Sequence, residues 1–306
     1  MGLMQPVKKR ILFAVYKLSL TASGLAGRML GFASPGVRRR MEQVYGAVFQ
    51  FDQPGLKKVT DNFFADYSRN KIEVFFYPFM GESTIRHFVT LEGEEHLQAA
   101  LARGKGAVLA HTHMSNPQML MPALGHRRYK LWQVGMTPMD VYHGVREITG
   151  GRPNLPAYIW LSIKDRLERS LPVTFIHIGR QPLKEVFRKL SEGALVAMTV
   201  DGVKEGDGVR EFFGKKTGMF TSGPVRVALR SGAALLPLFV LREEDGRCRV
   251  VIEAPVEMNR NDDRQDAVEK AMAEFLRRFE GHLRKYPWLY GRFLGFHNDR
   301  FFLPGD

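Results

Sequence analysis

Short apolar runs alternate with polar, glycine-punctuated stretches through most of the chain after residue 85. Residues 107–110, 131–134, 173–176, 195–200, 235–241 and 249–252 are strand-length runs bounded by turn formers. Residues 86–91 alternate apolar and polar up to a turn at Glu92-Gly93. Such runs predict strands, the unbroken ones buried on both faces. Between them, residues 94–103 (closed by Gly104), 183–190 and 224–230 carry helical spacing, and residues 264–284 form a long charged amphipathic helix. Strands alternating with helices predict an α/β fold with a central sheet flanked by helices. Residues 210–213 and 249–252 read as added edge or hairpin strands, which makes that sheet mixed. An aromatic tail closes the chain: Tyr286, Trp288, Tyr290, Phe293, Phe296, Phe301 and Phe302.

Upstream, residues 37–80 read as helical, with Phe63, Phe64, Tyr67 and Ile72 near helical spacing before Tyr77-Pro78. Residues 11–33 are long enough to span a bilayer, but Lys17, Arg28 and three glycines interrupt them. No small-residue cleavage site marks a secretory signal. Lys8, Lys9 and Arg10 precede this segment, and Arg38, Arg39 and Arg40 follow it. Basic clusters around an amphipathic segment are what a helix lying in an anionic interface requires. That is the preferred reading; a surface helix packed on the domain comes second and a full span third. The chain therefore divides into N-terminal, membrane-associated amphipathic helices over residues 1–80 and an α/β domain over residues 81–306.

Composition narrows the choices a little. With 306 residues, 44% of them hydrophobic and 25% charged, the chain buries a sizeable core. The formal charge of +13 favours anionic partners: an acidic membrane surface, a phosphorylated substrate or an acidic carrier protein. No nucleic-acid recognition motif accompanies the charge, so no nucleic-acid partner is expected. The single cysteine, Cys248, excludes an internal disulfide and a cysteine-based zinc site, and reads as a packing residue.

Candidate chemistry sits where the first long apolar run ends. Gly104-Lys105-Gly106 opens the run and His111-Thr112-His113-Met114-Ser115-Asn116-Pro117-Gln118 follows it. A buried strand thus delivers histidine to the rim of an α/β sheet, where ligands usually bind, and histidine exchanges protons near neutral pH. No carboxylate lies within the turn, so no metal site is expected. A second rim position is Asp201-Gly202, at the end of the run 195–200. A third constellation joins Lys215 and Lys216 to Thr221 and Ser222, which open a helix carrying Arg226 in its first turn. A helix N-terminus beside lysines suits a phosphate or an oxyanion. Walker, nucleophile-elbow and dinucleotide glycine patterns are all missing from the sequence. Met114, Met119, Leu120 and Met121 are candidates for core or for the lining of an acyl-chain tunnel.

Taken together, Leu91-Glu92-Gly93-Glu94-Glu95-His96-Leu97, Gly104-Lys105-Gly106 and His113-Met114-Ser115-Asn116-Pro117-Gln118 resemble the lipid A biosynthesis (late, secondary, lauroyl/myristoyl-type) acyltransferase family. The resemblance continues through Val200-Asp201-Gly202, Phe212-Phe213-Gly214, Thr221-Ser222-Gly223-Pro224, Gly232-Ala233 and Pro237-Leu238-Phe239, and covers roughly residues 85–300. It implies a glycerolipid acyltransferase-like α/β/α fold and a membrane-associated acyltransferase at the cytoplasmic face of the inner membrane, peripheral or held by one N-terminal membrane helix. The donor would be acyl carrier protein or acyl-CoA, with no further cofactor. The acceptor would be a hydroxyl or amine of a lipid or glycolipid.

The family's His-x4-acid motif places the general base on His113, because Asn116 matches its asparagine; His111 is the poorer register and is grouped with the substrate-binding candidates. Lys215, Lys216, Thr221, Ser222 and Arg226 join that group. Two departures stand out. The motif acid falls on Gln118, and an Arg-Pro-x-Asn segment is replaced by Gln133-Val134-Gly135-Met136. Three explanations compete: Gln118 only positions His113 while Asp201 supplies the carboxylate, the acceptor needs only a weaker base, or the chain keeps lipid or carrier binding without catalysis. The first is preferred, since loss of a charge partner costs a catalytic pair orders of magnitude in rate. Asn116, a main-chain amide or an arginine is then the candidate donor to the oxyanion.

Overall fold

The computed structural model describes residues 4–49, 51–149, 155–178, 182–201, 209–213, 215–258 and 264–296. Three helices come first: α1 (Met4–Ala33), α2 (Pro35–Phe49) and α3 (Gln53–Glu73). Asp52 caps α3 by accepting the Gly55 N–H at 2.9 Å, and Pro54 fits the first turn. A 3-10 segment, Val74–Phe79, and a single turn, α4 (Ile85–Phe88), lead into β1 (Val89–Glu92), α5 (Glu94–Ala102) and β2 (Ala107–His111). Then follow α6 (Leu120–Gly125), β3 (Leu131–Gly135), α7 (Pro138–Thr149), α8 (Leu155–Glu168), β4 (Thr174–His177), α9 (Pro182–Ser191) and β5 (Leu195–Thr199). The rest of the chain supplies β6 (Val209–Phe212), β7 (Lys215–Met219), α10 (Gly223–Ser231), β8 (Ala234–Arg242), β9 (Cys248–Ile252), α11 (Arg264–Lys285) and α12 (Gly291–Phe296).

Seven strands form one sheet in the order β1-β9-β8-β2-β5-β3-β4. All neighbours are parallel except β8 and β9, which make an antiparallel hairpin, so the sheet is mixed as expected. Its central strands are buried on both faces. Val108, Ala110, Val196, Leu235 and Phe239 point into a core closed by Phe275 and Phe279 of α11 and by α9 and α10. Ala107, Leu109, Ala197, Leu236 and Leu238 point the other way, onto Leu97, Leu120 and Leu124 of α5 and α6 and onto Tyr16 and Leu20 of α1. The helices flanking both faces are what unbroken apolar strands demand. Met114, Met119, Leu120 and Met121 belong to these two cores and are at most 5% exposed.

Three details differ from the sequence reading. Residues 86–88 belong to α4, and only Val89 onward is strand, because Ile85 and Phe88 bury themselves from a helical turn. β9 is the hairpin partner of β8, so of its two readings, edge or hairpin, only the edge one fails: β1 pairs outside it. β6 and β7 form a separate two-stranded ribbon rather than an addition to the sheet, with Phe212 buried beneath α11 against Phe279. Among the described residues no helix is long and apolar enough to cross a membrane, so the spanning alternative for the N-terminal segment does not hold for α1. Instead α1 packs along α3, and Gly24, Gly27 and Gly31 face it: a Cβ on Gly27 would run into the Phe64 carbonyl oxygen and Ser68 Oγ.

Candidate active site

Parallel register brings the two rim residues together. β2 and β5 are neighbours with His111 opposite Thr199, so the residues two steps beyond each strand, His113 and Asp201, meet above the carboxyl end of the sheet. The Val200 N–H donates to the His111 carbonyl at 2.8 Å and holds the strand ends in that register. The pair lies 88 positions apart in the chain, yet His113 Nδ1 is 2.6 Å from Asp201 Oδ1. The His113 main-chain N–H also donates to Asp201 Oδ2, at 2.8 Å.

Asp201 is fully buried while the His113 side chain is 42% exposed. A third donor, the Tyr290 hydroxyl, reaches Asp201 Oδ2 at 2.7 Å. Burial alone would push the Asp201 carboxyl up; the His113 charge and the three donors outweigh it and hold Asp201 below its ordinary value. Tyr290 shows the converse: burial and the adjacent carboxylate push its hydroxyl well up, so it stays a donor. The Phe293 ring stacks on the His113 imidazole at 5.3 Å between centroids. A carboxylate on Nδ1 fixes the proton there and leaves Nε2 with a free lone pair, the state a general base needs. Among the described residues no three histidine, cysteine or carboxylate side chains converge as metal ligands.

The family model described as bacterial lipid A biosynthesis acyltransferase matches residues 16–295. The chain belongs to this family. Its class of chemistry is accordingly acyl transfer. Among curated relatives it is 27% identical, over 73% of its length, to a phosphatidylinositol mannoside acyltransferase of Mycolicibacterium smegmatis, covering 67% of that protein. It is 30% identical, over 56% of its length, to the protein of the same name from Mycobacterium tuberculosis, covering 50% of it. The matched region thus spans about two thirds of the length of one relative and half of the other. Among solved structures, the 1-acyl-sn-glycerophosphate acyltransferase PlsC of Thermotoga maritima aligns with a TM-score of 0.37 at 14% identity, over 85% of this chain and 97% of its own.

The other candidate residues of this acyltransferase are dispersed. His111 is buried at the end of β2; Gln133 Nε2 approaches its Nε2 at 3.2 Å, and its Nδ1 faces the Thr112 carbonyl at 3.4 Å. Burial, reinforced by the His113 charge, lowers it to about 4, so it is neutral at physiological pH. Asn116 turns down into the protein, donating to Glu73 Oε2 at 2.7 Å and to the Tyr77 hydroxyl at 3.0 Å. Gln118 is half-buried in the 3-10 turn Pro117–Met119. The His113 ring is hydrogen bonded to Asp201 and not to Gln118. Thr221 lies beside Asp201's strand, its N–H donating to the Val200 carbonyl at 2.9 Å, and its Oγ1 accepts the Gly223 N–H at 3.1 Å. Ser222 is buried at the start of α10 and accepts Arg226 Nε at 2.8 Å; Arg226 Nη2 also reaches Gln265 Oε1 at 3.0 Å. Lys215 and Lys216 open β7, but their side chains lie outside the described residues, as does Gly202.

Residues that sequence reasoning passed over complete the site. Tyr290 and Phe293 sit in the aromatic tail, which the sequence displays without saying that it folds over the rim. Asp66, Glu73 and Arg242 lie directly beneath the turn. Their one available signal is the spacing Asp66, Asn70, Glu73, which puts three polar groups on one face of α3. Two cavities at the surface, one around Arg28, Lys57 and Asp61 and one around Arg103, Pro255 and Lys270, touch neither His113 nor Asp201.

Proposed function

We propose that the chain moves a fatty acyl group from acyl carrier protein or acyl-CoA to a hydroxyl or amine of a lipid or glycolipid acceptor, with His113 as general base and Asp201 as its ionised partner. The observation that carries this reading is the 2.6 Å contact between His113 Nδ1 and the fully buried Asp201 carboxylate. His113 Nε2 takes the acceptor's proton as its oxygen or nitrogen attacks the thioester carbonyl. The imidazolium so formed is stabilised by Asp201. Collapse of the tetrahedral intermediate breaks the carbon–sulfur bond, and the leaving thiolate takes the proton back from Nε2. Asn116 has its amide committed to Glu73 and Tyr77, so its part is to hold the turn.

The seat of the enzyme in this reading is the cytoplasmic face of the inner membrane. α1 supports it, with five basic residues, no acidic one, and an outward row of apolar side chains that includes Val7, Ile11, Val15, Leu18, Leu25 and Met29. Gln118 in place of the motif acid favours one second reading, a lipid- or carrier-binding protein without turnover.

Turnover decides between them. With palmitoyl-CoA or palmitoyl-acyl carrier protein and vesicles of bacterial polar lipid, Asp201→Asn should lower kcat by about 10³- to 10⁴-fold with little change in KM, as removal of the charge beside a catalytic histidine does. Gln118→Glu should stay within about 3-fold of wild type. Full activity in Asp201→Asn would refute the role of Asp201, and tight lipid binding with no turnover of either donor would favour the second reading. Mass spectrometry of membrane lipids from cells with and without the protein identifies the acceptor.

A further inference from the structure

The turn that carries His113 rests on a buried charged cluster to which the reaction above assigns no part. Asp66, Asn70 and Glu73 project from one face of α3, and Tyr77 continues the row in the 3-10 segment that follows. Arg242, at the carboxyl end of β8, is fully buried against them. Its Nε donates to Asp66 Oδ1 at 3.0 Å, its Nη1 to Glu73 Oε1 at 3.2 Å and its Nη2 to Asn70 Oδ1 at 3.1 Å; Nη2 also pairs with Glu73 Oε2. From α1, the Tyr16 hydroxyl donates to Glu73 Oε1 at 2.6 Å.

Each carboxylate also reaches upward to the turn. Ser115 Oγ donates to Asp66 Oδ1 at 3.1 Å, and Asn116 Nδ2 donates to Glu73 Oε2 at 2.7 Å. Ser115 has φ 52°, a left-handed backbone that residues other than glycine hold only where the surroundings impose it. Its N–H is tied to the Leu289 carbonyl at 2.7 Å, four residues before Phe293, which stacks on His113. Two buried carboxylates sharing one guanidinium are a poor device for stability alone, because apolar side chains of similar size stabilise as well or better. They are well suited to fixing the direction of two short polar side chains in a dry interior, where an unsatisfied partner is expensive.

We propose that Asp66 and Glu73 are positioning residues, which hold Ser115 and Asn116 and thereby set where His113 presents Nε2, and that Tyr16 extends this support to α1. The inference rests on the reading of His113 as the base. It goes beyond that reading by placing part of the control of turnover on α3 and α1, outside the histidine motif.

The test uses the full chain with palmitoyl-CoA or palmitoyl-acyl carrier protein, whichever the wild type turns over, and vesicles of bacterial polar lipid. Ser115→Ala, Asn116→Ala and Glu73→Gln should each lower kcat by about 10- to 100-fold, the size of loss that a misplacement near 1 Å causes. KM for the donor should stay within about 2-fold. The double variant Glu73→Gln with Asn116→Ala should be no slower than Asn116→Ala, because both break one line of support. Arg249→Met, which removes ion pairs to Glu92 and Glu243 and a hydrogen bond to the Tyr286 hydroxyl, none of them on the turn itself, serves as the control for destabilisation and should leave kcat unchanged below its melting temperature. If Glu73→Gln fails to fold, Ser115→Ala decides, since Asp66 keeps Arg242 and Asn70. Wild-type kcat in Ser115→Ala and Asn116→Ala beside an inactive His113→Ala would overturn the positioning role and leave the base reading intact. Wild-type turnover in His113→Ala would overturn both.

Discussion

At the scale of single residues, the two histidines of one turn have opposite fates because of two steps of chain. His113 lies past the strand end, partly exposed and paired with a buried carboxylate; His111 is the last residue of β2 and is closed off from water. A histidine lowered to about 4 by burial has a consequence for stability. The unfolded chain takes up a proton near 6.5, while the folded one stays neutral until about 4. This contribution is therefore complete above pH 6.5 and is lost as the pH falls toward 4, at up to about 1.4 kcal/mol per pH unit. Urea unfolding between pH 7.5 and 4.5 should show a steeper loss in the wild type than in His111→Asn, by about one bound proton in that window. Equal slopes would mean that His111 is protonated in the folded protein. The sequence made both histidines visible, along with an acid at the end of another strand. It already offered Asp201 as the carboxylate for His113 in place of Gln118, but not the contact itself, which needs the sheet order: because β2 and β5 are neighbours, two rim residues 88 positions apart meet.

At the scale of elements, strands with unbroken apolar runs were legible, because burial on both faces leaves no room for polar residues. α7 and α8 were not, since their apolar residues remain partly exposed: Val141, Leu155, Ile159 and Ile163 all face outward. The glycines of α1 show a different limit. In the sequence, Gly24, Gly27 and Gly31 interrupt a possible membrane span; in the fold they are the face on which α1 meets α3. One stripe of small residues permits the approach that lets Tyr16 reach Glu73. Gly27→Ala forces a Cβ against main-chain atoms of α3, an overpacking expected to cost about 1–3 kcal/mol. For a chain of this size that is a fall in Tm of about 2–10 °C by calorimetry. Gly36→Ala in α2, where a Cβ meets nothing, should leave Tm unchanged or slightly raised. Equal melting of the two variants would show that α1 is not closely seated on α3.

At the scale of the whole molecule, α1 has two faces with different work. The inner one, through Tyr16, Leu20, Gly24, Gly27 and Gly31, is committed to the domain; the outer one keeps Leu18 70% and Met29 71% exposed. Lys8, Lys9, Arg10, Lys17 and Arg28 lie along the same helix, which carries no acidic residue. The 3-10 segment Val74–Phe79 links this helix to α8: its Phe76 packs on Tyr16 and its Phe75 on Trp160. The exposed Phe75 and Phe79 therefore carry apolar surface from α1 toward the outward-facing Leu155 and Ile159 of α8. A cationic helix with an apolar outer row gains from an anionic bilayer twice, by burying side chains among acyl chains and by attraction to headgroups. Sedimentation with phosphatidylglycerol vesicles should thus capture the protein, and phosphatidylcholine vesicles should capture much less. Leu18→Glu combined with Met29→Glu removes apolar contact and adds repulsion, and should weaken binding by more than about 10-fold with Tm unchanged, since neither residue touches the core. Raising the salt from low to about 0.5 M should weaken wild-type binding without abolishing it, because only the headgroup attraction is screened. Binding that ignores both the double substitution and the lipid charge would remove α1 as the contact and leave the surface near α8 to account for the seat.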